Sequence, residues 1–81
     1  MKKRNLIGSR VMQSRRAQGM TRKELCRELR TFGINLNVFS LFLLEYRKRL
    51  VFDVELFFLA KVLNVSMDWL LGRTEKTSSA P

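Results

Sequence analysis

Two runs of three cations stand out, Lys2-Lys3-Arg4 and Arg47-Lys48-Arg49. The second directly follows a stretch in which Val38, Phe39, Phe42, Leu43 and Tyr46 fall at i, i+1, i+4, i+5 and i+8. On a helix that spacing is a single side. Clustered Lys and Arg can hold phosphates. Apolar side chains can meet thymine methyls or cover a partner protein. Bond-making chemistry is much harder to assemble. The chain has no His, which removes imidazole general-base catalysis, Ser/His and Cys/His nucleophile pairs and zinc sites of the Cys/His kind. Its one Cys, Cys26, cannot form an internal disulfide, so a reducing cytosol is the expected compartment. No acid, base and nucleophile set can be put together, so neither catalysis nor a cofactor or metal is expected.

The cations are unevenly placed. Residues 1–30 hold ten Lys/Arg against Glu24 and Glu28, whereas residues 50–81 hold three against four acidic groups. The net charge of +9 therefore resides in the first half of the chain and in residues 47–49. So large a charge on 81 residues favours a polyanionic partner. Scattered solubilising charge explains Arg27, Arg30 or Lys61 singly, but explains the asymmetry poorly. With 46% hydrophobic and 28% charged residues, the chain is too apolar to be disordered and long enough for one domain. No apolar segment follows Lys2-Lys3-Arg4 as a signal peptide requires. The stretch Val38 to Leu44 is far short of the ~20 residues of a membrane-spanning helix.

Five helices are expected to position these residues, in an all-α, compact five-helix globule. Asn5 caps a first helix carrying Ile7, Val11 and Met12 and ending at Gly19. Thr21 caps a second with Glu24 completing a capping box. Leu25, Leu29 and Phe32 form its apolar stripe, and Gly33 supplies a left-handed stop. After the connector 34–37, Asn37 caps a third helix running to about Arg47, with Leu41 and Leu44 inward. Asp53 caps a fourth, with Leu56, Leu59, Ala60 and Leu63 inward and Asn64 as a left-handed exit. Ser66 caps the last, Met67 to Leu71, closed by Gly72. The spacing divides the chain into a basic arm (1–5), a folded domain (6–72) and a disordered polar tail (73–81).

Four stretches resemble the phage repressor/Cro-type (Xre-like) helix-turn-helix family. They are IGSRV at 7–11, GMTRKELC at 19–26, LxxLEYRKR at 41–49 and ELFFLAKVLNVSMDWLLG at 55–72. Together they span most of the chain in the family's order. The segment between helices two and three is similar to a variant with an extended turn, here Gly33-Ile34-Asn35. The resemblance implies that helix two lies across the DNA backbone while helix three enters the major groove. It further implies phosphate contacts from Arg22, Lys23, Arg47, Lys48 and Arg49. Asn35, Asn37, Val38, Phe39, Phe42, Leu43 and Tyr46 would then face the groove or a partner. Arg10 and Glu45 would form a structural ion pair between helices one and three, and Cys26 would fill a tight helix contact.

Helix three departs from that pattern, because family members present polar side chains where this chain has apolar ones. Ser14 also takes a place where a core Leu is usual. Either Phe39 or Phe42 folds back into that space, or the face meets a partner. The leading expectation is a DNA-binding transcriptional regulator, cytoplasmic and associated with the nucleoid when bound. It would bind double-stranded DNA, with a homodimer forming on two-fold sites as one option, and no membrane. The alternative is a protein-interaction module whose helix-three face docks a partner or mediates dimerisation.

Overall fold

The structure, a computed structural model, describes residues 5–77. Among them are five helices and no strand: α1 (Gly8–Ala17), α2 (Arg22–Arg30), α3 (Val38–Glu45), α4 (Asp53–Leu63) and α5 (Met67–Leu70). The all-α expectation holds.

Each helix starts where a side chain can satisfy its unbonded N–H groups. Asn5 Oδ1 accepts from the backbone N–H groups of Ile7 (3.0 Å) and Gly8 (2.9 Å). Thr21 and Glu24 form the reciprocal box, with Glu24 N–H on Thr21 Oγ1 at 3.0 Å and Thr21 N–H on Glu24 Oε1 at 2.8 Å. Asn37 Oδ1 accepts from Ser40 N–H, and Ser66 Oγ accepts from Trp69 N–H. The expectation for α4 needs correction. Asp53 is its first helical residue rather than its cap, and the Glu55 carboxylate accepts from the N–H of Phe52 at 3.0 Å. A carboxylate one turn in does the capping because Phe52 has no side-chain acceptor.

All five helices end the same way. A left-handed residue at position n donates its N–H to the carbonyl at n−3, and the next N–H reaches the carbonyl at n−4. This is the pattern of a Schellman exit. The left-handed residues are Gly19, Gly33, Arg47, Asn64 and Gly72. Arg47 is the exception, since a long side chain gains nothing from φ = +60°. Its exit also ends α3 at Glu45, two residues before the expected stop.

Val11, Leu25, Leu29, Leu41, Leu44, Leu59, Leu63 and Leu70 lie at 0–1% exposure and form the centre of the core. Each contributes roughly 1.5–3 kcal/mol relative to exposure. Two expected inward residues sit elsewhere: Leu56 is only half-buried, and Phe32 is exposed at the end of α2. The N-terminus of α1 rests on the last carbonyls of α3. A Cβ on Gly8 would stand 2.2 Å from the Leu44 carbonyl oxygen, which explains the glycine. Asn5 reinforces this junction, its Nδ2 donating to the carbonyls of Leu44 (2.8 Å) and Arg49 (3.2 Å).

Residues 73–77 of the expected tail meet the folded domain through backbone carbonyls. The Ser66 backbone N–H donates to the Thr77 carbonyl, and the Thr74 carbonyl accepts from Arg10 Nη1 at 3.4 Å. Polar composition did not prevent docking, because the tail's carbonyls found donors on α1 and at the start of α5. Residues 1–4 of the expected arm and 78–81 of the tail lie outside the described residues. Asn5, assigned to the arm, is buried as part of the fold.

Candidate nucleic-acid interface

Glu45, fully buried at the end of α3, organises the surface above it. Arg15 grips its carboxylate with two bonds, Nε to Oε2 at 2.6 Å and Nη2 to Oε1 at 3.1 Å. A third Arg15 nitrogen donates to the Met20 carbonyl at 2.8 Å. Arg22 adds a bond from Nε to Oε1 at 2.9 Å. One buried carboxylate thus receives two guanidinium groups, which supply the charge-assisted bonds that burial demands.

The Arg10–Glu45 pair expected from the resemblance is therefore incorrect. Arg10 and Arg15 are five residues apart, about 140° around a helix, so they cannot reach the same partner. Arg15 shares the stripe of Gly8 and Val11 that faces α3. Arg10 turns to α5, donating to the Trp69 carbonyl at 2.9 Å with its guanidinium 5.0 Å from the Trp69 ring centre. Its only ion pair among the described residues is with exposed Glu75, at 3.6 Å.

The five expected phosphate contacts divide into two groups. Arg49 is bidentate to Glu55, at 3.2 and 3.0 Å, so its charge is paired within the fold. Arg22 is largely committed to Glu45, although its Nη nitrogens find no acceptor among the described residues. Lys23, Arg47 and Lys48 are exposed and make no ion pair among the described residues. The turn from Arg47 to Leu50 encloses a recess of about 100 Å³.

The outer side of α3 runs in sequence into Arg47 and Lys48. Phe39 is 65% exposed and Phe42 38%; Val38 and Tyr46 are also exposed, and Leu43 is half-buried. The three aromatic rings form a ladder, with centroids 6.3 Å apart for Phe39 and Phe42 and 4.8 Å for Phe42 and Tyr46. The Arg22 guanidinium lies 5.3 Å from the Phe42 ring centre and 6.0 Å from that of Tyr46. Neither Phe folds back toward Ser14. The space beside Ser14 is a cleft of about 300 Å³ between α1, α4, α5 and the tail, and Gln18 Nε2 donates to Ser14 Oγ at 3.2 Å. Asn35 is exposed on the connector, whereas Asn37, also exposed, spends its Oδ1 on the α3 cap.

Two features escaped the sequence reading. Arg15 was missed as the partner of Glu45, although its i+4 relation to Val11 marks the inward stripe of α1. The other is a second aromatic cluster, in which Phe58 stacks on Phe32 (5.1 Å) and meets Phe57 edge-on (5.0 Å), with Lys61 Nζ 6.0 Å from the Phe32 ring centre. The adjacent Phe57-Phe58 pair was its signal, since neighbouring residues on a helix cannot both point inward. Cys26 is buried, and burial pushes its thiol pKa up against the opposing effect of Arg30. It is packing material rather than a nucleophile.

Among the described residues, no group of three or more His, Cys, Asp or Glu could hold a metal ion. No helix among them is long and apolar enough to cross a membrane. Compared with protein-family models, curated proteins and solved structures, the chain gives no match.

Proposed function

We propose that this protein is a cytoplasmic DNA-binding transcriptional regulator of the phage repressor/Cro type, placing α3 against duplex DNA. The observation that carries the proposal is the sorting of charge. Arg15 and Arg49 are paired with the buried carboxylates of Glu45 and Glu55, while Lys23, next to Arg22 in sequence, and Arg47 and Lys48, next to Tyr46, make no ion pair among the described residues. The order α2, turn, α3 supports the same reading, since helix-turn-helix proteins place the second of these helices in the groove. The left-handed Arg47 adds weight, because backbone strain at a non-glycine residue is commonly retained where the side chain is used. Arg22 serves mainly as a clamp on Glu45, with its free nitrogens available as an auxiliary contact. Two copies would meet on a two-fold site rather than in free solution.

Anisotropy titrations of a random-sequence duplex at several salt concentrations test the proposal. Replacing Lys23, Arg47 and Lys48 together by Gln should weaken binding to any duplex and flatten the salt dependence by about one unit of slope per lost contact. Unchanged affinity and slope in that variant would overturn the reading.

A further inference from the structure

We infer that the first turn of α3 reads the C5-methyl group of thymine, so that the duplexes this protein prefers are those whose major groove is lined with thymine methyls. The inference rests on the reading of α3 as the helix set against duplex DNA and specifies what that helix recognises there. In helix-turn-helix proteins the N-terminal residues of the second helix meet the base edges. In α3 those residues are Val38 and Phe39, 45% and 65% exposed. They are also the open end of its apolar side. Phe42 and Tyr46, further along, pack against each other and lie beside the Arg22 guanidinium.

The chemistry of the groove selects that ligand. A G·C pair presents guanine N7 and O6 and the cytosine amino group, all of them donors or acceptors. An apolar side chain laid on them removes their water and returns no hydrogen bond. An A·T pair adds one apolar element, the thymine methyl, which projects into the groove. Covering that methyl costs no hydrogen bond, and each one covered raises affinity by about fourfold. The nearest polar side chain does not offset this preference. Asn37 Oδ1 accepts from Ser40 N–H at 2.7 Å, so it is not free for the amino group of adenine or cytosine. Phosphate contacts from Lys23, Arg47 and Lys48 are the same on every sequence. Methyl recognition is therefore added to theirs and separable from it.

The experiment titrates the full chain into fluorescein-labelled duplexes of about 20 base pairs. One is rich in A·T pairs, and a second has the same sequence with deoxyuridine for every thymidine. A third is rich in G·C pairs, and a fourth carries 5-methylcytosine in that sequence. Deoxyuridine removes the methyl and leaves every donor and acceptor in place, whereas 5-methylcytosine adds a methyl at the same ring position. The uracil duplex should bind about tenfold more weakly than the thymine duplex, and cytosine methylation should strengthen G·C binding by about fivefold. Phe39→Ser should bring the thymine and uracil duplexes within about twofold of each other, while Phe39→Leu keeps them apart. Phe39 is exposed, and circular dichroism checks that each variant folds. Phe57→Ser, which removes an exposed ring from α4, should behave as the parent. Equal affinity for the thymine and uracil duplexes overturns the inference, even if both exceed the G·C duplex, since groove shape would then be the feature read. No gain from cytosine methylation overturns it too, as does a Phe39→Ser variant that keeps the full thymine–uracil difference. Replacing Lys23, Arg47 and Lys48 together by Gln should weaken all four duplexes and preserve that difference. If this variant binds all four unchanged, the duplex reading fails and the inference with it. Cation-dependent binding that ignores the methyl removes the inference alone.

Discussion

Arg15 and Glu45 meet fork to fork, at 2.6 and 3.1 Å, with both side chains almost completely withdrawn from solvent. The pair joins α1 to the end of α3 and fixes the base on which Arg22 and the aromatic ladder stand. Arg15→Met should destabilise the fold by about 3 kcal/mol, because a buried carboxylate would lose its principal partner. The Arg15→Met/Glu45→Leu double variant should lose distinctly less than the sum of its two single changes. Arg10→Met should cost only about 1 kcal/mol, since its ion pair is with an exposed carboxylate. Urea melts of the four proteins check the cycle; additivity of Arg15 and Glu45 would contradict it.

Gly8 permits the close approach of α1 to α3. Helix propensity alone favours Gly8→Ala, by about 1 kcal/mol. The added methyl would instead collide with the Leu44 carbonyl oxygen, backbone that cannot swing aside. The expected net result is destabilisation of about 3 kcal/mol, with neighbouring exposed Ser9→Ala near neutral as the control. Thermal melts decide the sign.

Arg47→Gly should act in opposite directions on stability and binding. Removing the side chain at φ = +60° should stabilise the fold by about 1 kcal/mol. Duplex affinity should fall at the same time, as one unpaired cation is lost. Urea melts and anisotropy on the same samples test both halves.

Glu24 gives the acid side of the stability profile a specific contributor. The Thr21 backbone N–H and then the Thr21 hydroxyl hold the Glu24 carboxyl below its ordinary pKa, with a smaller contribution from Arg27. A carboxyl whose pKa is lowered by folding contributes stability that is complete above its unfolded pKa and disappears as pH falls through the folded one. The difference in urea midpoint between the parent and Glu24→Gln should therefore be present at neutral pH and shrink below the carboxylate range. A difference that stays constant across that range would show that the charge has no part in the cap.

The local features were the most legible in the sequence. Thr21 with Glu24, Asn37 and Ser66 act as caps, Gly33 and Asn64 turn left-handed, and Leu25, Leu29, Leu41 and Leu44 are buried, as their types and spacing predict. Each depends on neighbours within about a turn. The exposed side of α3 was also legible, because one helix has one inward stripe and Leu41 and Leu44 occupy it. What escaped depended on how helices cross. Whether Arg10 or Arg15 meets Glu45 is set by the rotation of α1 against α3, which the contact at Gly8 fixes and which the i+4 spacing of Val11 and Arg15 only hints at. A charge count along the chain likewise treats every cation as free, whereas the fold assigns Arg49 to Glu55 and Arg22 to Glu45. The left-handed Arg47 was hidden for a related reason, since nothing in its residue type announces that conformation.

The Asn5 side chain joins residues separated by 39 and 44 positions in sequence, capping α1 with its oxygen while its nitrogen bonds the carbonyls of Leu44 and Arg49. The turn presenting Arg47 and Lys48 is thus held partly from the other end of the described chain. A genetic screen for lost binding should consequently return Asn5 and Gly8 substitutions beside those at Arg47. Such alleles should be rescued by lowering the temperature, because they loosen the fold, whereas charge-removing alleles at Lys48 should not.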